Sequence, residues 1–223
     1  MNPSIVTLCN KGMIELTDNL IKSIKQSGMD NDIYIICLDN PTKNHFKYHN
    51  RIMPKSLGKG QPYYEYGTKE FSNVTFSKVP GIKSVLHKTK NDVIFIDSDI
   101  IVLRDFNNFI DLISSNYDLI VSLEPNNYYC AGLVYYKYSK NTFNFIQKYI
   151  FEMQRESDVY FDDQTILNEI IGDINHIGLY ECLFCNGYYA MTNKINMNCV
   201  YTIHANWVKG FDNKMRFLKE FEV

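Results

Sequence analysis

"DVIFIDSDI", residues 92–100, carries an unbroken apolar run into two aspartates separated by one residue. A short β-branched and aromatic run of this kind reads as a strand buried on both faces. Carboxylates at the end of such a strand are costly unless something compensates them. In an extended segment, residues two apart point to one side, so Asp97 and Asp99 are expected to converge. Two like charges that close raise one pKa unless a cation lies between them. Hard oxygen ligands suit Mg²⁺ or Mn²⁺. The plainer alternative is a polar strand end in which Asp99 caps a turn.

Outward from that stretch, short β-branched runs alternate with amphipathic segments. "SIVTLC" (4–9) and "DIYIICLD" (32–39) read as buried strands, and the segment between them has helical spacing at Ile14, Leu16, Leu20, Ile21 and Ile24. Gly28 suits the C-terminal cap of that helix. Residues 40 to about 72 break the rhythm with three prolines, three glycines and many polar groups, and read as a loop-rich insertion. A helix is expected over Val79–Lys88, strands over 117–124 and 131–137, and helices over 141–156 and 162–172. Strands over 174–180 and 198–204 and a short C-terminal helix complete the pattern. The whole predicts an α/β fold with a mostly parallel central sheet and helices on both faces. Ligands bind such sheets at the carboxyl ends of the strands, where Asp39, Asp97 and His204 all fall.

The chain has 223 residues, 45% of them hydrophobic, and a formal net charge of −2. That length suits one domain over 1–223. Near-neutral charge argues for neither a nucleic-acid nor an anionic-membrane partner. No apolar run approaches a membrane span, and the N-terminus shows no signal-peptide pattern. A soluble cytoplasmic protein with reduced thiols is therefore expected, and oligomeric state is left open. Cys182 and Cys185 form a lone C-x-x-C, which without a second pair reads as ordinary packing. The sequon Asn73-Val74-Thr75 matters only in an exported chain. His45 and His49 have ligand-like spacing only on a helix. Lys43, Lys47, Arg51, Lys55 and Lys59 read as a solvated loop, or as a lid over an anionic ligand.

His204 ends a strand, where an imidazole can complete a site begun by two carboxylates. "HANWVKGFDNK" (204–214) follows it with Lys209, Gly210 and Lys214, and those two lysines can neutralise phosphates. In "DDQ", Asp162 can cap a helix and Asp163 can compensate its dipole.

The ordered set "IVTLC", "CLD", "KVPGIKSVL", "VIFIDSDIIVLRDF", "AGLVYY", "FDDQTILNEII", "LFCNGYY" and "HANWVKG…K" resembles the nucleotide-diphospho-sugar transferases of the GT-A glycosyltransferase fold. It also echoes glycogenin-like enzymes, with longer spacing from His204 to Gly210 and from Gly210 to Lys214. The resemblance implies a GT-A (Rossmann-like) domain with Mn²⁺ (or Mg²⁺) on Asp97, Asp99 and His204, with Asp97 or Ser98 also near the ribose. It implies a nucleobase against Thr7 and Leu8 near Asp39, and Lys78 at the diphosphate or donor sugar. Ala131 and Gly132 would shape the sugar pocket through backbone, and Asp162, Asp163 and Gln164 would face the transferred sugar or acceptor. Lys209 or Lys214 would meet the diphosphate beside Gly210. For an inverting reaction Asp163 is the base expected; a retaining one leaves it to position the sugar.

The expected function is metal-dependent transfer of a sugar from a nucleotide donor, UDP-linked, to an acceptor hydroxyl of a glycan or glycoconjugate. A nucleotidyltransferase is the alternative, but such enzymes open with a Gly-rich loop and "LCNKGMIEL" holds one glycine. A non-catalytic nucleotide-sugar-binding module is a third reading. It accounts less economically for two aspartates, a histidine and a terminal lysine together.

Overall fold

The computed structural model describes residues 2–52, 58–155 and 162–221. Seven strands build the central sheet: β1 (Ser4–Cys9), β2 (Ile33–Cys37), β3 (Asn50–Ile52), β4 (Val93–Ile96), β6 (Leu119–Glu124), β7 (Tyr128–Tyr136) and β8 (His176–Leu179). Their order is β3-β2-β1-β4-β7-β6-β8. All neighbours are parallel except β7, which runs antiparallel to both β4 and β6. The mostly parallel sheet expected from the sequence is present.

Both faces of this sheet are apolar, which is why its strands read as continuous runs. Phe95 packs with Val6, Val134 and Val79 on one side, against α4 (Lys78–Thr89), α6 (Lys140–Arg155) and α7 (Asp163–Ile170). Ile94 and Ile96 point the other way, into a core with Leu20 and Ile24 of α1 (Ile14–Gln26) and Ile110 of α5 (Asn107–Ser114). Burial of such side chains contributes roughly 1.5–3 kcal/mol each. Helix α1 ends as its glycine foretold: Ser27 is the C-cap and Gly28 follows at φ +87°.

Three short strands that the sequence did not resolve as a unit form a second sheet, β5 (Ile100–Val102), β10 (Thr202–His204) and β9 (Phe184–Cys185), in the order β5-β10-β9. Helices α8 (Gly187–Thr192) and α9 (Phe211–Lys219) accompany it. β10 pairs antiparallel with β5, setting His204 opposite Ile100.

The segment expected as a loop-rich insertion is more regular than its composition suggests. It holds α2 (Asn40–His45), the edge strand β3 and α3 (Lys69–Thr75). Asp39 starts α2 with a capping box and Pro41 lies in its first turn, so a Pro-rich stretch that reads as loop begins a helix. His49 lies beyond α2, and the two histidines do not form a ligand pair: His45 meets Asp18 at 2.8 Å, and His49 packs edge-on against Phe46. Lys55 and residue 156 lie outside the described residues.

Candidate active site

The two aspartates converge by a route other than the one their spacing suggested. Residues 97–99 are not extended. They form a turn between β4 and β5, closed by Ile100 N–H donating to the Asp97 carbonyl at 3.2 Å. The Asp97 N–H donates to Gly132 O at 2.7 Å, and the Ala205 N–H to Asp99 O at 3.0 Å. Both strands flanking the turn are thus tied to the segments that carry the remaining site groups.

His204 arrives from the second sheet. Its Nε2 lies 3.1 Å from Asp99 Oδ1 and 3.9 Å from Asp97 Oδ2. Ligand atoms of Asp97, Asp99 and His204 all fall within 4.8 Å of one another. One imidazole and two carboxylates are a donor set that could hold a divalent metal ion. Gly132 keeps the space open: a Cβ there would stand 2.4 Å from His204 Cε1 and 2.7 Å from Asp97 Oδ2.

A buried lysine and a partly buried one balance these acids. Lys78, at the start of α4, places Nζ 2.6 Å from Asp163 Oδ2, 3.2 Å from Asp97 Oδ1 and 3.3 Å from Ala131 O. The Asp163 oxygen is close but not aligned as a hydrogen-bond acceptor, so the attraction is mainly between charges. Burial alone would lower the Lys78 pKa, and Asp163 and Asp97 more than reverse that. Burial raises Asp163 to about 6 despite Lys78. Lys214, from α9, ion-pairs with Asp99 Oδ2 at 2.5 Å. Burial would raise Asp99, but Lys214 and His204 hold it well below the usual carboxylate range.

All these groups face one cavity of about 670 Å³, at the carboxyl ends of β1, β4 and β6. Leu8, Ala131, Gly132, Asp162, Gln164 and Lys209 share its wall. The Ala131 N–H donates to Gln164 Oε1 at 3.1 Å. Asp162 caps α7, accepting from Thr165 N–H at 2.8 Å. Lys209 stands exposed on the rim, whereas Lys214 reaches the carboxylates. Gly210, at φ +84°, is the turn from which α9 starts.

Three expected residues sit elsewhere. Thr7 is fully buried and off the cavity wall. Ser98 is buried too, its Oγ without a partner among the described residues. Asp39 is likewise off the wall. Its carboxylate accepts from the N–H groups of Thr42, Lys11 and Gln61 at 3.0, 2.8 and 2.8 Å, so it serves the backbone.

Glu124, Cys130 and Asn206 were not anticipated. Glu124 Oε1 accepts from Asn206 Nδ2 at 2.9 Å and Gln164 Nε2 at 3.2 Å. Cys130 Sγ lies 3.7 Å from His204 Nδ1, the ring nitrogen turned away from the aspartates. Glu124 ends a strand, and the strand-end rule that found Asp97 points to it as well.

Six acidic residues and three lysines line the cavity. A divalent ion on the Asp97, Asp99 and His204 cluster would add positive charge to this acidic wall.

The fold and this site define a GT-A glycosyltransferase architecture, and solved structures agree. The glycosyltransferase GlyE of Streptococcus pneumoniae TIGR4 superposes with a TM-score of 0.71 at 18% identity, over 100% of this chain and 61% of GlyE. The galactosyltransferase LgtC, solved with donor and acceptor sugar analogues, gives 0.65 at 15% identity, over 97% of this chain and 94% of LgtC. A glycosyltransferase involved in glycosylation of the major capsid of PBCV-1 gives 0.61 at 13%, over 97% of this chain and 100% of that one. A search of curated proteins by sequence finds no match. The family model for nucleotide-diphospho-sugar transferases matches residues 27–218. The chain belongs to that family.

Proposed function

We propose that this protein moves a sugar from a nucleoside-diphosphate donor, UDP-linked, to a hydroxyl of a glycan or glycoconjugate acceptor. Mn²⁺ or Mg²⁺ would be held by Asp97, Asp99 and His204. The observation that carries the reading is that three-residue cluster, set on a cavity wall at the strand ends in a chain of this family. A bound ion would offset the charge that develops on the departing diphosphate.

The chain's own residues divide the remaining work. Lys214, with Lys209 on the rim, neutralises phosphate oxygens, and Gly210 lets the backbone turn beside them. Lys78 holds Asp97 and Asp163 at fixed separation, which shapes the pocket for the sugar with Ala131, Gly132 and Gln164. Asp162 and Asp163 face the transferred sugar and the acceptor side. Leu8 contributes the wall against the base. Asp39 acts indirectly, by ordering the Lys11 and Gln61 backbone. All of 1–223 works as one catalytic unit in this reading. Six free thiols, Cys182 and Cys199 exposed among them, suit the reducing cytoplasm. Among the described residues no helix is long and apolar enough to cross a membrane.

Screening UDP-, GDP- and dTDP-sugars with Mn²⁺, Mg²⁺ and EDTA tests the reading. One nucleotide sugar should be hydrolysed slowly and metal-dependently even without acceptor. Metal-independent binding of every donor, or full activity in Asp97→Ala and Asp99→Ala, would falsify it.

A further inference from the structure

The chain has a single tryptophan, Trp207, and it lies on the rim of the cavity three residues beyond the metal-cluster histidine. It is 48% exposed, and Tyr188, 44% exposed, sits beside it with ring centroids 5.4 Å apart and planes at 55°. Large aromatic rings left in water at a cavity mouth forgo the burial that usually recruits them.

The pair is also firmly built. Asn186 caps α8 by accepting from Tyr189 N–H at 2.8 Å, and it donates to Leu123 O, on β6, at 3.0 Å. The Gly187 N–H donates to Asn206 Oδ1 at 2.8 Å. A Cβ on Gly187 would stand 3.0 Å from Trp207 N and 3.1 Å from His204 O. Helix α8 therefore abuts the loop that carries His204, Asn206 and Trp207, and Tyr188 is held on that loop.

Position decides what such a surface is for. The bonds above place the pair on the β6 side of the sheet, whereas Leu8 lies near the end of β1, with β4 and β7 between. Polar groups suited to hydroxyls share the cavity wall: Glu124, Asp162 and Asn126. Asn126 and Asn127 are both left-handed, at φ +65° and +59°, in the turn between β6 and β7. Asparagine tolerates that conformation better than most residues, so the two make a tight turn beside the cavity.

We propose that Trp207 and Tyr188 form an acceptor subsite that stacks the apolar face of a pyranose, so the acceptor is a carbohydrate bearing a free ring hydroxyl. The inference rests on the glycosyltransferase reading above. A sugar laid on these rings is half apolar contact and half hydroxyl contact, which matches aromatic rings bordered by carboxylates and amides.

Because Trp207 is the only tryptophan, its emission reports on the platform directly. Lactose, cellobiose and chitobiose are titrated against the full chain, with glycerol as a polyol that cannot stack and uridine as a free nucleoside. A saturable emission change with at least one disaccharide, absent with glycerol, is expected. With a donor that is turned over, Trp207→Ala should lower the ratio of acceptor transfer to donor hydrolysis about tenfold, mainly through acceptor KM. Trp207→Phe should restore most of it, and Tyr188→Ala should lower it less. The subsite is overturned if no disaccharide changes the emission, if uridine alone does, or if Trp207→Ala keeps the wild-type ratio. Loss of metal-dependent donor hydrolysis in the wild type strikes the glycosyltransferase reading instead, and the emission titration then still decides the platform.

Discussion

Two acids end neighbouring parts of the same sheet in nearly the same sequence context. Asp39 follows "IICL" and Asp97 follows "VIFI", and β2 and β4 flank β1 on either side. Asp39 is consumed by the backbone. Burial would raise its pKa, but N–H groups of Gln61, Thr42 and Lys11 outweigh that and lower it. Asp97 instead meets side chains: Lys78, His204 and, two residues on, Asp99. An acid after a buried strand is therefore not a site in itself. What matters is whether backbone donors or charged side chains satisfy it.

The largest effect should come from the side-chain-satisfied acids. Asp97→Asn with Asp99→Asn is expected to lower metal-dependent donor turnover by about 10²-fold or more and to abolish Mn²⁺ binding followed by electron paramagnetic resonance. Asp39→Asn should retain that binding. Equal loss of Mn²⁺ in both would erase the distinction between the two strand ends.

Removing the cation that balances the site comes next. Lys78→Met leaves the buried Asp163, and the partly exposed Asp97 beside it, without their shared partner, at a cost of about 3–5 kcal/mol. In a chain of this size that is a fall in Tm of roughly 2–4 °C per kcal/mol. Adding Asp163→Leu should recover much of it. A double variant no more stable than Lys78→Met in a thermal melt would show that the charges are not the cause.

Asp39→Ala should cost about 1–3 kcal/mol through lost caps and unmet N–H groups. Its sign with pH is fixed by the depressed pKa of Asp39. The unfolded chain binds the proton more readily, so the contribution is fully present above the unfolded value, near 3.9. It is lost as pH falls through the lower folded value. Tm measured from pH 6 down to pH 2.5 should fall less steeply in Asp39→Asn than in the wild type.

The smallest effect is predicted for His45→Ala. The pair with Asp18 is nearly half exposed on both sides, so solvent screening leaves under about 0.5 kcal/mol. A Tm change beyond a degree or two would mean that α2 depends on this contact more than the Asp39 cap suggests.

By itself the sequence determined the strands buried on both faces, the helices between them and the strand ends that carry acids. Those features are local: periodicity, β-branching and caps such as Gly28 and Asp162 act within a few residues. It also placed Asp97, Asp99 and His204 in one constellation, because the family pattern is ordered along the chain. It did not show that residues 97–99 turn, since that depends on Ile100 closing back on Asp97 while β10 lies alongside. Nor did it separate Asp39 from Asp97, or single out Glu124, Cys130 and Asn206. Composition made residues 40–72 a loop, although the Asp39 cap begins a helix there. Only tertiary structure decided these, because each depends on which groups from distant segments come within hydrogen-bonding reach. His204 and Asp99 are 105 residues apart in the chain, and no local rule brings them to 3.1 Å.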